Sequence, residues 1–302
     1  MVVPATDAPP DLERCTSALA AAYDGPDEVV VVDGPPSLGA AGARNAGAAL
    51  ASGDVLVFVD ADVVVHPDAF TRIRKVFADA PELDAVFGSY DDSPAAPGRV
   101  SEFRNLLHHH VHHEGAGPAE TFWTGLGAVR RDVFLAVGGF DEARFPHPSV
   151  EDVDLGDRLV RRGHRILLEP AIQGTHVKRW TLRSMVGTDF ARRGVPWVAM
   201  QVANRRVSSA LNLGWRHRAS ALAWVATLAA SASRRPVVAA GALGTVVVLN
   251  RRFYSLLGRR LGPVDVVTGI ALHGLHHLVG VVAVPVGIVT GLVGPTWRGR
   301  VR

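Results

Sequence analysis

Two aspartates one residue apart, Asp60 and Asp62, close the apolar run Asp54-Val55-Leu56-Val57-Phe58-Val59. In extended backbone residues i and i+2 point the same way, so both carboxylates leave the strand end on one side. Like charges so placed repel unless a cation or positive group lies between them. A divalent ion with oxygen ligands, Mg2+ or Mn2+, shared with a diphosphate, meets that requirement. A solvated acidic turn would carry the same residues, so the rest of the chain has to decide. Upstream, Ala43-Arg44-Asn45-Ala46-Gly47 is a glycine-flanked helix start whose single arginine could meet a phosphate or a base. Downstream, Trp123-Thr124-Gly125-Leu126-Gly127-Ala128 and Val137-Gly138-Gly139-Phe140-Asp141-Glu142 are glycine turns that would let backbone approach a ligand closely. Val150-Glu151-Asp152-Val153-Asp154-Leu155 then sets acids at the start of a helix reaching Arg162-Gly163, where acids commonly act as caps. The set ends at His176-Val177-Lys178-Arg179-Trp180.

These residues need elements to position them. Met1-Val2-Val3, Glu28 to Val32, Asp54 to Val59 and Asp84 to Gly88 read as strands; Leu12 to Tyr23, Ala40 to Ala51 and a segment starting near Pro67-Asp68 read as helices. Strands apolar on both faces and alternating with helices predict an α/β domain with a mostly parallel sheet covered on each side. Ligands of such sheets bind beyond the carboxyl ends of the strands, where Asp33, Asp60 and Asp62 fall.

The 302 residues carry a formal charge of +3, which conceals two unlike parts. From Arg205 to Arg302 there are 13 arginines and one acid, Asp265, for a net +12; the preceding stretch holds 19 basic and 28 acidic residues, for a net −9. The basic residues flank apolar runs and form no stripe interleaved with aromatics, so membrane lipid is the expected partner and nucleic acid is not. Those runs are Ala219 to Ser233, Pro236 to Asn250 and Val264 to Val293. The first two are short against the 20 or so residues of a spanning helix, so a tight hairpin suits them as well as two full spans. Thr181 to Val202, with Arg192, Arg193, Trp197 and Met200 among aliphatics, predicts an amphipathic helix at a bilayer surface. The arginine clusters at 205–206, 216–218 and 251–260 would lie in the cytosol, a placement that Arg234-Arg235 and the tail arginines Arg298, Arg300 and Arg302 fit less well. A single cysteine, Cys15, excludes an internal disulfide framework, and Met1 to Arg14 has neither the basic nor the apolar segment of a secretory signal, so the catalytic part is expected in the cytosol at the inner or plasma membrane.

Taken in order, the strand-end Asp33, A-R-N-x-G, D-A-D, T-G-x-G-A, G-G-F-D-E, E-D and late His resemble family 2 glycosyltransferases of the GT-A fold over roughly residues 1–180. The resemblance implies a GT-A domain over 1–180, an interfacial segment over 181–218 and membrane-associated helices over 219–302. It implies that Asp33, Arg44 and Asp60 contact the donor nucleotide, that Asp62 holds the metal with His176 as second ligand or diphosphate contact, and that Thr124, Gly125, Gly127, Arg179 and Trp180 line the donor and acceptor pocket. Asp152 is then the general base with Glu151 beside it. Arg179-Trp180 resemble the Q-x-x-R-W motif of membrane-embedded polysaccharide synthases, with His176 where that motif has Gln. The usual D-D-G-S after the second strand is Asp33-Gly34-Pro35-Pro36 here, which removes one acidic base contact.

The expected activity is metal-dependent, inverting, hexosyltransferase-type transfer from a nucleotide sugar to a membrane-associated acceptor, a lipid-linked glycan or glycolipid of the cell envelope. One alternative is a polyprenyl-phosphate sugar synthase. Another is a catalytically silent membrane-anchored scaffold, against which the joint presence of Asp60, Asp62, Asp152 and His176 argues. A sugar nucleotidyltransferase would show a glycine-rich start followed by a basic residue, where this chain begins Val2-Val3-Pro4-Ala5. The run His108-His109-His110-Val111-His112-His113 suits a helix with a structural or phosphate-facing role, and its i, i+4 pairs could also take up a transition metal.

Overall fold

The computed structural model describes residues 1–7 and 9–294, so the tail arginines 298, 300 and 302 lie outside the described residues. The chain forms two compact units. The first comprises Met1–Ala96 and Val111–Lys178, the second Pro97–His110 and the chain from Arg179 onward.

The first unit contains strands β1 (Val2–Pro4), β2 (Val30–Val32), β3 (Val55–Val59), β4 (Val63–Val65), β5 (Ala85–Tyr90), β6 (Gly117–Ala119), β7 (Leu126–Arg130) and β8 (Ile166–His176). Between them lie helices α1 (Leu12–Ala21), α2 (Gly39–Leu50), α3 (Ala69–Asp79), α5 (Arg131–Ala136) and α6 (Glu151–Arg161), while α4 (Arg99–Glu114) belongs to the second unit as far as His110 and to the first from Val111. The sheet order is β2-β1-β3-β7-β5-β8-β4, with β6 also paired to β8. Strands β1, β2, β3, β5 and β8 run one way and β4, β6 and β7 the other, so the sheet is mixed and mostly parallel. The α/β class expected from the sequence is what the chain adopts.

Strand β3, at the centre of the sheet, is apolar throughout, as suits a strand covered on both faces. Val3, Val59, Val63, Phe70, Val86, Leu126 and Ile172 meet in one buried cluster. On the other face Phe58 packs against Phe134 and Phe140, with ring centroids 5.5 and 5.3 Å away. Each such side chain, fully buried, contributes about 1.5–3 kcal/mol. Beyond the sequence-predicted strands lie β4, directly after the D-A-D turn, β6, β7 beneath the T-G-L-G turn, and the eleven-residue β8 that ends at His176.

The second unit is helical. Helix α7 (Leu182–Gly187) opens on a capping box in which the Ser184 amide donates to Thr181 Oγ1 at 3.1 Å and the Thr181 amide to Ser184 Oγ at 2.9 Å. It passes into a π-helical turn (Thr188–Gly194) and then α8 (Val195–Ala203), so the expected single amphipathic helix over 181–202 is three successive segments. Helices α9 (Trp215–Ala232) and α10 (Pro236–Leu249) pack together and are joined at Arg234, whose φ is 54°. Helix α11 (Arg251–Leu261) buries Phe253, Tyr254, Leu256 and Leu257 and exposes its arginines. Helix α12 (Pro263–Val293) is the one described helix long and apolar enough to cross a membrane by length and composition. It buries His273, Gly274, His277 and Gly287 on one side and exposes Val264, Val267, Val282 and Val289 on the other.

Candidate active site

Helix α2 is the hub of the first unit's polar cluster. Its Arg44 is almost fully buried and donates from Nη2 to Asp60 Oδ1 at 2.7 Å and from Nη1 to Glu151 Oε1 at 2.8 Å. The end of β3 and the start of α6, 91 residues apart in the chain, therefore share one guanidinium. Burial disfavours the charge on Arg44, but Asp60 and Glu151, with Asp152 further off, outweigh it and raise its pKa. Glu151 Oε2 also accepts from the Ser149 amide at 2.7 Å, so both of its oxygens are engaged. The neighbouring Asn45 binds the G-G-F-D-E turn: its Nδ2 donates to Phe140 O at 2.9 Å and Glu142 Oε1 at 2.7 Å, while its Oδ1 accepts from the Phe140 amide at 2.9 Å.

Asp62 leaves the same turn toward β8. His176 Nε2 lies 3.7 Å and Lys178 Nζ 3.4 Å from Asp62 Oδ2. Burial alone would raise the Asp62 pKa; His176 and Lys178 outweigh it and hold the carboxyl at about 2, ionised at any neutral pH. His176 is itself fixed by Tyr90, whose ring stacks on it with centroids 4.3 Å apart and planes 14° from parallel. Tyr90 in turn meets Trp123 edge-on at 4.9 Å.

These groups fit a divalent cation. Among the described residues no three His, Cys, Asp or Glu side chains are grouped to hold an ion by themselves. An ionised aspartate beside an imidazole supplies two ligands, and Mg2+ or Mn2+ bound with a nucleotide draws its remaining ligands from phosphate oxygens and water.

The other sequence-predicted residues fall as follows. Asp152 sits in the first turn of α6, half-buried, its Oδ1 accepting from the Val153 amide at 2.8 Å. Asp33 is exposed just past β2. Thr124 is buried, and Gly125 accepts at its carbonyl from the Asp60 amide at 3.2 Å. A Cβ on Gly125 would come within 2.2 Å of the Trp123 ring, so its lack of a side chain makes room for the chain's own indole. Gly127 pairs with Phe58 across β3 and β7. Arg179 and Trp180 belong to the second unit, where the Trp180 amide donates to Ser101 Oγ at 2.9 Å and Arg104 lies over the indole at 5.1 Å.

Within the histidine run, His112 is a core group of the first unit, its Nδ1 2.9 Å from Gly88 O and its ring against Phe87 and Trp123. His110 stacks on Phe253 in the second unit. Lys178 and the Asn45 clamp were not singled out from the sequence. The signal for Lys178 was present, since it stands two residues beyond His176 and so shares its side of an extended segment.

In this α/β sheet the strand-end Asp60 is bridged through Arg44 to Glu151 at the start of α6, and Asp62 faces His176. Residues 35–138 match the family described as glycosyl transferase family 2. An uncharacterized glycosyltransferase of Haemophilus influenzae is 26% identical over 172 residues, covering 53% of this chain and 54% of that protein. A pre-mycofactocin glycosyltransferase of Mycobacterium tuberculosis is 29% identical over 168 residues, covering 53% of this chain and 34% of that protein. The chain thus spans about half, or less, of the length of these relatives. Among solved structures, a Pyrobaculum calidifontis mannosyltransferase in complex with GDP-Man and Mn2+ aligns at 16% identity with a TM-score of 0.47, covering 97% of this chain and 86% of that one.

Proposed function

We propose that this chain transfers a hexose from a nucleotide-sugar donor to a hydroxyl of a membrane-associated acceptor, a lipid-linked glycan or glycolipid, by a single displacement with inversion. The observation that carries this reading is the division of labour among the acids. Arg44 holds both Asp60 and Glu151, and the Ser149 amide also engages Glu151, so the start of α6 is fixed and carries the half-buried Asp152, the residue proposed for proton transfer.

In this reading Asp33 and Asp60 face the nucleotide, and Arg44 acts through Asp60 and Glu151 by fixing the two segments that frame the donor. Asp62 and His176 would hold the divalent ion, which neutralises charge developing on the leaving diphosphate. Thr124, Gly125 and Gly127 line the sugar pocket beside Trp123. Asp152 takes the proton of the attacking hydroxyl, a step worth about 10²–10⁴ in rate. No second carboxylate is assigned to form a covalent sugar intermediate, so the anomeric centre inverts.

The membrane side of the reading rests on the second unit. Val237 is 84% exposed, Val264 72% and Leu222 70%. An apolar surface of that extent is costly in water and marks a lipid or protein contact. Its neighbours in sequence are arginines, so anionic lipid on the cytosolic face is the matching partner. The domain division proposed is a GT-A domain over 1–180, an interfacial segment to 218 and membrane-associated helices beyond.

The test is Asp152→Asn in the full chain. Transfer should fall by about 10²–10⁴ while nucleoside diphosphate binding stays within twofold, as read by calorimetry. Turnover at the wild-type rate would overturn the assignment. Product analysis after incubation with polyprenyl phosphate or with lipid-linked saccharide distinguishes a sugar phosphate ester from a glycoside. Only the glycoside needs a base, because a phosphate oxygen attacks without a proton to lose.

A further inference from the structure

Asp62 already has a cation. Lys178 Nζ stands 3.4 Å from Asp62 Oδ2, the same oxygen that faces His176 Nε2 at 3.7 Å. A divalent ion held by Asp62 and His176 would compete for the carboxylate that Lys178 neutralises. Two positive centres cannot share so short a reach without strong repulsion. Lys178 is half exposed, with 52% of its side chain accessible, and carries a flexible four-carbon stem, so its ammonium can swing away while the His176 ring, 7% exposed and stacked on Tyr90, cannot. Lys178 follows the last residue of β8 by two positions, in chain without regular secondary structure, where such a swing needs no change in the sheet.

Building on the proposed metal and donor site, we infer that Lys178 is a placeholder cation: it neutralises Asp62 in the metal-free protein, is displaced when the divalent ion enters, and then pairs with the diphosphate of the donor. The exchange balances charge at each stage. Without metal, Asp62 carries the ammonium as counter-ion. With metal and donor, the ion (+2), Asp62 (−1) and the donor diphosphate (−2) together leave one negative charge, which the released ammonium cancels. Metal and diphosphate are therefore coupled through one side chain, each favouring the state that admits the other. Protein holding Lys178 on Asp62 resists metal alone, and protein with the ion in place presents an extra cation to the nucleotide.

The experiment compares the full-length wild type, Lys178→Met and Lys178→Arg. Mn2+ binding is read by the electron paramagnetic resonance of free Mn2+, with no nucleotide present. Lys178→Met keeps the stem and removes the charge, and should bind Mn2+ about three- to tenfold more tightly, while Lys178→Arg stays near wild type. At saturating Mn2+, binding of UDP and GDP is then measured by calorimetry; the one the wild type accepts should bind Lys178→Met several-fold more weakly. In an Asp62→Asn background, the Lys178→Met change should leave Mn2+ binding unaltered, because the carboxylate that both cations seek is gone. Equal Mn2+ affinity of wild type and Lys178→Met would overturn the inference while leaving the glycosyl-transfer reading intact. A wild type that binds neither Mn2+ nor either nucleoside diphosphate would overturn both.

Discussion

At the scale of single residues, Arg44 decides more of the first unit's architecture than any group the sequence singled out for chemistry. It is nearly inaccessible, and its two strong acceptors come from segments 91 residues apart in the chain. Replacing one partner of such a buried pair typically costs about 3–5 kcal/mol, because the opposite charge stays buried without compensation. Arg44→Met, matched for length and without charge, should therefore lower the midpoint of thermal unfolding by many degrees. Arg44→Lys should recover part of the loss, since one ammonium cannot reach both carboxylates in the forked geometry of a guanidinium. A midpoint unchanged in Arg44→Met would remove Arg44 from the structural account. The sequence made Arg44 visible as the lone arginine of a glycine-flanked helix start. It did not show that two acids of the same constellation are its partners, because that pairing depends on which strands become neighbours.

At the scale of elements, the strands that the hydrophobic pattern revealed are those whose faces are both covered. The strand β3 reads as Val-Leu-Val-Phe-Val and needs no other cue. The strand β8 stayed hidden because Glu169, Pro170 and Gly174 interrupt it, and Pro within a run ordinarily demotes a strand. Its pairing with β5 shifts register between Phe87 and Ser89, the irregularity that such residues accompany. Helix α6 carries the candidate base, and its seat is set by close approach. A Cβ on Gly156 would lie 2.4 Å from Phe122 N and 2.5 Å from Thr121 C, backbone atoms that cannot yield as a side-chain tip would. Gly→Ala inside an exposed helix ordinarily gains about 1 kcal/mol. Here the sign reverses: Gly156→Ala should destabilise by about 1–3 kcal/mol or more through overpacking. It should also lower kcat, since α6 can make room only by moving Glu151 and Asp152. Calorimetry and initial rates on the one variant check both statements, and a stabilised, fully active Gly156→Ala would refute this account of how α6 is seated.

At the scale of the whole molecule, the charge division at Arg205 was legible from counting alone, whereas the entry of Pro97–His110 into the second unit was not. That segment reads as an ordinary amphipathic helix, and only folded contacts such as Phe103 against Phe253 assign it. The second unit's chemistry is also uneven in a way composition concealed. Arg104 and His276 both meet the buried Asp189, at 2.9 and 2.8 Å, so part of its interior is polar and satisfied. The arginines of α11 and Val237, Val264 and Val267 by contrast face outward. On α11, Arg251 and Arg259 are exposed, eight residues and thus close to one helical face apart, behind a buried face of Phe253, Leu256 and Leu257. Each arginine near an anionic bilayer contributes about 1 kcal/mol, falling off within a Debye length as salt is added. Replacing both by glutamate should therefore weaken binding of the full chain to phosphatidylserine-containing vesicles by at least about tenfold at 0.1 M salt. Raising salt to about 0.5 M should shrink the difference, because screening removes the electrostatic part and leaves the apolar part. Flotation with neutral and anionic vesicles at both salt concentrations measures this. If wild type and variant float equally with anionic vesicles at low salt, α11 is not the lipid-facing element, and the exposed valines of α9, α10 and α12 must find their partner in protein.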